Sequence, residues 1–315
     1  MRKRAWKKMI LPLALILCGG TARGSFRDRG WSVRATGMAG AFSALADDGS
    51  ALFVNPAGTA WMRRPEASFM WNEAYPGLKD VNMSLGFFSL VALKPWGAWG
   101  GAVTNFDASG LLRENMALLH TSRRWGNSLS FGMNLKYLTH DFLVGSDSSA
   151  ADNPAFANGT TRSALTFDAG MTCRFGKKIV LGFLGRNLTE PDVGLVSRDK
   201  VPAELQAGSA WHPRPRMTVA ADATYRRQTY GDSRDKSNLH LGVENWFSMR
   251  RQMVGARLGV SLKDVACGFS LYLWPQGSFS LRVDYAFSFD TRLAQDYAGI
   301  HRIGLAMPFG GSFSR

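Results

Sequence analysis

The chain has 315 residues, of which 45% are hydrophobic, and its formal net charge is +14 at pH 7. Beyond residue 24 no apolar run is long enough to form a membrane-spanning helix, which excludes a helical membrane protein and leaves a spanning β-barrel open. Thirty-four glycines and twenty phenylalanines against twelve prolines are typical of many strands with an aromatic belt.

Residues 1–24 are predicted to form a secretory signal peptide. Basic side chains precede an apolar run from Met9 to Cys18, and Ala22 and Gly24 provide small residues for cleavage. The apolar run is too short to anchor the chain in a membrane. Removal of this segment takes away six basic and no acidic residues, so the formal charge of the exported chain falls to +8.

The stretch from Arg34 to Gly58 reads RATGMAGAFSALADDGSALFVNPAG. Its first half consists mainly of glycine and alanine, which lets the backbone lie close against a wall. Asp47 and Asp48 suit the N-cap of a short helical turn, and Asn55 with Pro56 suits a second capped start. Spacing alone favours an ordinary linker with two helix starts.

This stretch also resembles the signature R-A-x-G-M-G-G-A-x-x-A-x-A-D-D-x-x-A-x-x-x-N-P-A-G-L of the PorV/PorQ family of FadL-like outer-membrane proteins. It departs from the signature at Ala39, which replaces a glycine, and at Thr59, which replaces the final leucine. The resemblance implies an N-terminal plug, residues 25–64, folded inside a barrel of fourteen strands. The residues that carry this plug motif are Gly37, Gly40, Asp47, Asp48, Asn55, Pro56 and Gly58.

From Glu66 onward the chain alternates apolar and polar residues, most clearly over Ser278–Phe289. Such alternation over ten or more residues predicts membrane-barrel strands, whereas the strands of a soluble sandwich, the alternative, are usually half as long. We therefore predict an all-β, antiparallel outer-membrane barrel over residues 65–315. Its strands are placed at 66–75, 81–93, 97–107, 112–124, 128–142, 162–174, 178–188, 203–212, 215–228, 238–247, 252–262, 265–273, 278–288 and 299–309.

The predicted connections alternate between short and long. Tight turns are expected at 125–127, 175–177, 212–214 and 274–277, with longer links at 143–161, 189–201, 229–237 and 289–298. Short periplasmic turns and longer external loops are typical of an outer-membrane barrel. The last strand, with Arg302, Gly304, Met307 and Phe309, resembles the C-terminal signal read by the barrel-assembly machinery, which is therefore an expected partner during insertion.

Eight ionisable side chains point into the barrel if the alternation holds in every strand. Four are positive and four negative, which favours an ion-pair network packed against the plug over a charge-selective pore. A water-filled lumen with solvated charges is the alternative. The eight residues are Lys136, Asp168, Arg186, Asp222, Glu244, Arg257, Arg282 and Asp284.

Gly97, Gly100 and Gly101 lie in the third predicted strand. Glycine inside a strand marks either a bulge or a close approach of backbones. In FadL-like barrels a kink in an early strand opens a lateral exit, so the resemblance makes these glycines candidates for a strand kink. Close packing against the plug is the competing interpretation.

No catalytic, phosphate-binding or metal-binding motif appears in the sequence, so we expect no enzyme activity, no cofactor and no metal. Three cysteines without a CxxC pair argue against a disulfide framework. Basic pairs recur at segment ends, as at Arg123–Arg124 and Lys177–Lys178. This distribution argues against nucleic-acid binding and suits solvated turns, or anionic lipid headgroups or acidic partners at one rim.

Two functions are expected from the resemblance. The FadL-like proteins imply transport of a hydrophobic small molecule across the bacterial outer membrane. The PorV branch implies a non-enzymatic outer-membrane partner of a protein secretion machine of the type IX kind, which contacts secreted proteins. Apart from outer-membrane lipid, the expected partners are therefore a hydrophobic ligand or secreted proteins.

Overall fold

A computed structural model describes residues 25–26, 30–74, 83–108, 110–143, 156–157, 159–227, 237–250, 252–274, 278–291 and 299–310. The predicted signal peptide lies outside these residues. Among the helices in the described ranges, none is long and apolar enough to cross a membrane.

Fourteen antiparallel strands form one closed barrel, which confirms the predicted fold class. Each strand pairs with its neighbours in sequence, and β1 closes the barrel against β14 from Glu66 opposite Pro308 to Glu73 opposite His301. The strands are β1 (Glu66–Ala74), β2 (Met83–Lys94), β3 (Gly97–Ala108), β4 (Leu112–Trp125), β5 (Leu129–Phe142), β6 (Thr161–Phe175), β7 (Ile179–Arg186), β8 (Glu204–Arg214), β9 (Met217–Arg226), β10 (Ser237–Met249), β11 (Gln252–Ser261), β12 (Asp264–Leu273), β13 (Leu281–Asp290) and β14 (Ile300–Pro308).

The outer face of the barrel is apolar because one side of each alternating strand points away from the lumen. On β5, Phe131, Met133, Leu135 and Tyr137 are exposed, whereas Asn134 between them is buried. Buried and more exposed side chains alternate in the same way on the other strands, so large apolar side chains surround the whole barrel. This surface is the one that a barrel embedded in lipid requires.

The turn predicted at 212–214 was wrong, and residues 275–277 of the turn predicted at 274–277 lie outside the described ranges. Residues 212–214 belong to β8, and the turn follows at 215–216. Pro213 cannot donate a backbone hydrogen bond, and the register with β9 shifts between Trp211 and Arg214. The strand therefore continues past the proline through an irregularity instead of ending before it.

Gly97, Gly100 and Gly101, which the resemblance made candidates for a kink, lie in a regular stretch of β3. Gly100 pairs with Val91 of β2 and His120 of β4, and the register is continuous along the strand on both sides. The glycines instead allow neighbouring backbones to come close. A Cβ atom at Gly100 would lie 2.5 Å from a carbonyl oxygen of β2, and one at Gly101 would lie 3.1 Å from a carbonyl oxygen of β4.

Residues 30–64, which we call the plug, contain three short helices. They are α1 (Val33–Gly37), α2 (Ala51–Val54) and a 3₁₀ helix (Pro56–Trp61). Ser32 caps α1, because its hydroxyl accepts a hydrogen bond of 3.1 Å from the backbone N–H of Ala35.

The plug lies inside the barrel. Hydrogen bonds, ion pairs or ring contacts connect it to β1, β2, β4 to β10 and β13. Backbone packing connects it to β3, β11, β12 and β14. Only a segment within the lumen can contact all fourteen strands of a closed barrel.

Candidate functional site: the plugged lumen

Three bends of the plug backbone lie against pairs of glycines on neighbouring strands. The glycines face each other as Gly132 and Gly170, Gly182 and Gly208, and Gly242 and Gly259. A Cβ atom at Gly132 would lie 2.5 Å from the backbone nitrogen of Ala57, and one at Gly182 would lie 2.5 Å from the carbonyl oxygen of Ser43. A side chain at these positions would therefore displace the plug from the wall.

Asn55 holds the turn that enters the 3₁₀ helix. Its side-chain oxygen accepts a hydrogen bond from the N–H of Ala57 at 3.2 Å, and its side-chain nitrogen donates to the carbonyl of Ser43 at 2.8 Å. Pro56 occupies the first helical position. Gly58 packs so closely on the plug's own backbone that a Cβ atom would collide with it.

The other two glycines of the plug motif also lie against the wall. Gly37 packs on Gly268 of β12, where an added Cβ atom would lie 3.3 Å from the Cα atom. Gly40 has a φ of +93°, which favours glycine, and it packs on the His240 ring. His240 Nδ1 lies 2.6 Å from the carbonyl oxygen of Ala39.

Ser50 directly precedes α2, and its side chain makes no capping bond. Asp48 accepts a hydrogen bond of 3.0 Å from the backbone N–H of Ser50, in the turn that leads into the helix. The carboxylates of Asp47 and Asp48 also lie 2.7 and 2.8 Å from Nη1 of Arg34. They are partners of a buried arginine that lies one helix earlier in the chain.

Arg34 also connects the plug to the barrel wall. Its Nη2 and Nε donate to the carboxylate of Glu244 on β10, at 2.8 and 3.2 Å. Glu244 in turn pairs with Arg257 of β11, while Asp48 accepts from Arg282 of β13 at 2.9 Å. The resulting arginine network comprises Arg34, Asp47, Asp48, Glu66, Glu244, Arg257, Arg282 and Asp284.

A second group of buried charges lies on β5 to β9. Lys136 Nζ lies 2.7 Å from the carboxylate of Asp168 and 2.6 Å from the side-chain oxygen of Asn187. The backbone N–H of Asn187 donates a hydrogen bond of 2.9 Å to the carboxylate of Asp168. The lysine charge is therefore neutralised and held by hydrogen bonds.

Arg186 belongs to the same group. It pairs with Glu204 and donates to Gln206 at 3.1 Å. Gln206 donates to Asp222 at 2.7 Å, and Asp222 accepts the backbone N–H of Ser43 in the plug at 2.9 Å. This chain of contacts connects the wall to the plug on the side opposite the arginine network.

The structure buries all eight predicted lumen charges and separates them into these two groups. Glu244, Arg257, Arg282 and Asp284 lie in the arginine network, and Lys136, Asp168, Arg186 and Asp222 lie in the second group. The sequence analysis missed Glu204 and Arg226, which pair at 2.7 Å. Glu204 shares the inward face of β8 with Gln206, so strict alternation along that strand would have found it.

The lumen also has an apolar wall that the sequence analysis did not predict. Apolar side chains line the inner face of β2 from Leu85 to Leu93 except at Ser89, and they continue onto parts of β3, β4 and β5. Phe87 contacts Phe53 of the plug with ring centroids 4.8 Å apart. The wall residues are Leu85, Phe87, Val91, Leu93, Ala98, Ala102, Phe106, Met116, Leu118 and Leu138.

A cavity of about 40 Å³ lies where the apolar wall meets the second group of charges. Its lining includes three aromatic side chains, two leucines and five charged residues: Phe26, Trp31, Phe53, Leu118, Leu138, Lys136, Asp168, Arg186, Glu204 and Arg226. A cavity that binds benzene measures about 150 Å³, so this one admits water but no aromatic ring.

The segment between β7 and β8 covers the cavity at the barrel end where the longer connections lie. Pro202 lines the cavity directly, and Val193 and Val201 are fully buried in the same apolar cluster. The Ser25 hydroxyl donates to the carboxylate of Asp199. The cavity is therefore closed on this side by the β7–β8 segment and the residues that precede the plug.

No three potential metal-ligating side chains come together in the described ranges. The chemistry that the described lumen offers is therefore that of neutralised ion pairs beside an apolar wall.

No family model and no curated protein matches the chain. CymD, a monoaromatic hydrocarbon channel, is 12% identical with a TM-score of 0.59, over 89% of this chain and 97% of CymD. The toluene transporter TodX of Pseudomonas putida is 12% identical with a TM-score of 0.54, over 91% and 98%. A FadL homologue from Pseudomonas aeruginosa is 13% identical with a TM-score of 0.57, over 89% and 98%. The chain therefore has a FadL-like fold.

Proposed function

We propose that this protein is a non-enzymatic outer-membrane barrel that transports small hydrophobic molecules, with the plug closing the lumen between passages. The apolar wall inside the barrel carries the proposal. It extends along β2 from Leu85 to Leu93, roughly 26 Å at the rise of a strand. A lumen that conducts only water and ions has no need of such a wall.

Two further observations support this function. CymD and TodX, which share the fold, are described as a monoaromatic hydrocarbon channel and a toluene transporter. Met116, Leu118 and Leu138 of the apolar wall line the cavity together with Trp31 and Phe53 of the plug. Because the cavity is smaller than an aromatic ring, transport requires Trp31 or Phe53 to move.

Uptake of radiolabelled toluene by cells that express the protein tests the proposal. Leu118→Trp fills the lumen at the cavity and should lower uptake several-fold. Leu119→Trp is the matched control, because Leu119 is 70% exposed on the outer face whereas Leu118 is 3% exposed. Phe53→Ala enlarges the cavity and should raise uptake. Equal uptake by all four proteins would contradict transport through this lumen.

We propose the outer membrane as the location, since the N-terminal segment resembles a signal peptide and the described barrel surface is apolar. Membrane fractionation should recover the protein with outer-membrane markers. It should also migrate differently on a gel before and after boiling. Recovery as a soluble periplasmic monomer would refute this location.

Membership of the PorV/PorQ family, and with it partnership with a secretion machine, is the second candidate. The nearly filled lumen favours it, because a scaffold needs no passage and the cavity measures only about 40 Å³. Purification in mild detergent followed by mass spectrometry separates the two functions. A bound hydrocarbon without protein companions supports transport, whereas stoichiometric protein partners and an empty lumen support the scaffold.

A further inference from the structure

The end of the barrel at which β1 begins and β14 ends carries a concentration of positive charge. At this end β2–β3, β4–β5, β6–β7, β8–β9 and β10–β11 are joined by short turns. Acidic side chains are absent from the described residues of these five turns. The exposed basic residues in or beside the turns, which we call the cationic rim, are Lys94, Arg123, Lys177, Lys178, Arg214, Arg216 and Arg250.

The opposite end of the barrel has mixed charge. Arg113 lies 3.1 Å from Asp107 between β3 and β4, and Arg227 lies 3.7 Å from Glu190. Acidic residues thus accompany basic ones there. The positive charge of the rim is therefore a property of one end and not of the composition as a whole.

Within the described ranges, no acidic side chain neutralises the rim charges. None of the seven side chains has a carboxylate of the described residues within ion-pair distance. Arg124 and Arg174, at the same end, differ because they point inward and stack on the Trp61 ring, 4.9 and 3.9 Å from its centroid. We exclude these two from the rim since the plug already occupies them.

Exposed aromatic side chains lie at the same level as the rim. Trp96 stands in the β2–β3 turn, Trp125 ends β4 and Phe175 ends β6. Trp274 follows β12 and is also exposed. Tryptophan on the outside of a barrel is typical of the depth at which lipid headgroups begin. The basic side chains thus lie at headgroup level.

We propose that the cationic rim binds anionic phospholipid headgroups in the leaflet that this end of the barrel contacts. The charges come from five successive hairpins around the barrel, several of them beside an exposed aromatic residue. A lipid annulus contacts the whole circumference, whereas a protein partner would need its acidic surface to follow a ring. The inference depends on the barrel lying in a membrane and is independent of what the lumen transports.

Native mass spectrometry in mild detergent tests this proposal. The protein is titrated with phosphatidylglycerol or with zwitterionic phosphatidylcholine, and the retained lipids are counted. We expect phosphatidylglycerol to be retained in preference. A variant carrying Lys177→Gln, Lys178→Gln, Arg214→Gln and Arg216→Gln should bind it more weakly, on the order of tenfold or more, because each cation near an anionic surface is worth about fivefold.

The matched control carries Arg113→Gln, Arg198→Gln, Lys200→Gln and Arg227→Gln, which removes the same charge from the opposite end. It should bind as the wild type does. If the fourfold rim variant fails to fold, Lys94→Gln with Arg123→Gln repeats the test on the other hairpins.

Equal retention of the two lipids by the wild type, or unchanged phosphatidylglycerol binding by the rim variant, would overturn the proposal. So would loss of a stoichiometric acidic protein from the rim variant with unchanged lipid retention, since that outcome assigns the rim to a protein partner. Toluene uptake should be the same in the rim variant and in the wild type. The lipid and transport proposals therefore fail separately.

Discussion

Arg34 pairs with carboxylates of the plug and with a carboxylate of the barrel wall. Its guanidinium group faces Asp47 and Asp48 within the plug and Glu244 on β10, all within 3.2 Å. Arginine suits this position because its planar group offers five donors in fixed directions, so one side chain serves three carboxylates. A lysine could not reproduce this geometry.

Replacing Arg34 with methionine should strongly destabilise the protein. The substitution keeps an apolar stem but leaves Asp48 and Glu244 buried without one of their partners, which costs about 3–5 kcal/mol. Urea unfolding in detergent measures the loss. Arg113→Met is the control, because the Arg113–Asp107 pair is partly exposed, with side chains 44% and 24% accessible, and its loss should cost less than about 1 kcal/mol. Equal losses in the two variants would contradict the account of the network.

Asp48 should make the stability of the plug depend on pH. Burial alone would raise its pKa, but Arg282 and Arg34 hold the pKa of this carboxyl well below the ordinary value of 3.8. A lowered pKa in the folded state adds stability above the unfolded value, and this stability disappears as the pH falls. The stability difference between wild type and Asp48→Asn should therefore shrink below about pH 4. A difference that is constant down to pH 2 would refute it.

The sequence predicted eight of the charges that face inward, but not which of them pair. Asp48 and Arg282 stand 234 positions apart, and Asp48 also satisfies every local criterion for a helix cap. Alternation assigns a residue to one face of a strand. Alternation does not determine the position along the barrel axis at which charges on two strands meet.

The plug helices are too short to be stable alone, so the glycine pairs of the wall determine where they lie. Each pair removes two side chains from the inner face at one height. The plug backbone fills the space that the missing side chains leave, as Pro56 and Ala57 do beside Gly132. The inner surface of the barrel therefore determines the path of a segment that has little regular structure of its own.

Gly132→Ala should loosen the plug and leave the barrel intact. The new methyl group would overlap the backbone of Ala57, and overpacking of this kind costs about 1–3 kcal/mol. Limited proteolysis should cut residues 30–64 faster, with unchanged heat-dependent gel migration. Gly101→Ala serves as the control, because its methyl group points outward with its nearest neighbour, a carbonyl oxygen of Leu118, at 3.1 Å. Unchanged proteolysis in Gly132→Ala would argue against a role of the glycine pairs in positioning the plug.

The strands were the most predictable elements, since their alternation extends over many residues, as in β5 and β13. The apolar wall was not predictable in the same way. On β2 both faces are apolar, with Phe87 inside and Phe88 outside, so alternation is lost where the lumen itself is apolar. Prediction of the glycine pairs also requires the register between neighbouring strands, and the sequence of one strand alone does not determine that register.

At the scale of the molecule the barrel is asymmetric in two directions. Across the lumen, an apolar wall on β2 to β5 faces the arginine network on β10 to β13. Along the axis, a rim with only positive charge stands opposite an end with mixed charge. The apolar wall is consistent with the proposed transport of a hydrophobic molecule. The charge difference between the two ends is consistent with the proposed binding of anionic lipid at one face of the membrane.

We expect the plug to close a barrel that folds without it. Ion conductance through a planar bilayer is compared between the full-length protein and a variant that lacks residues 30–64. Heat-dependent gel migration first shows that the shortened barrel is folded. We predict that the full-length protein conducts almost no current and that the deletion opens a stable conductance. A folded deletion variant that conducts no more than the full-length protein would show that the plug occludes nothing.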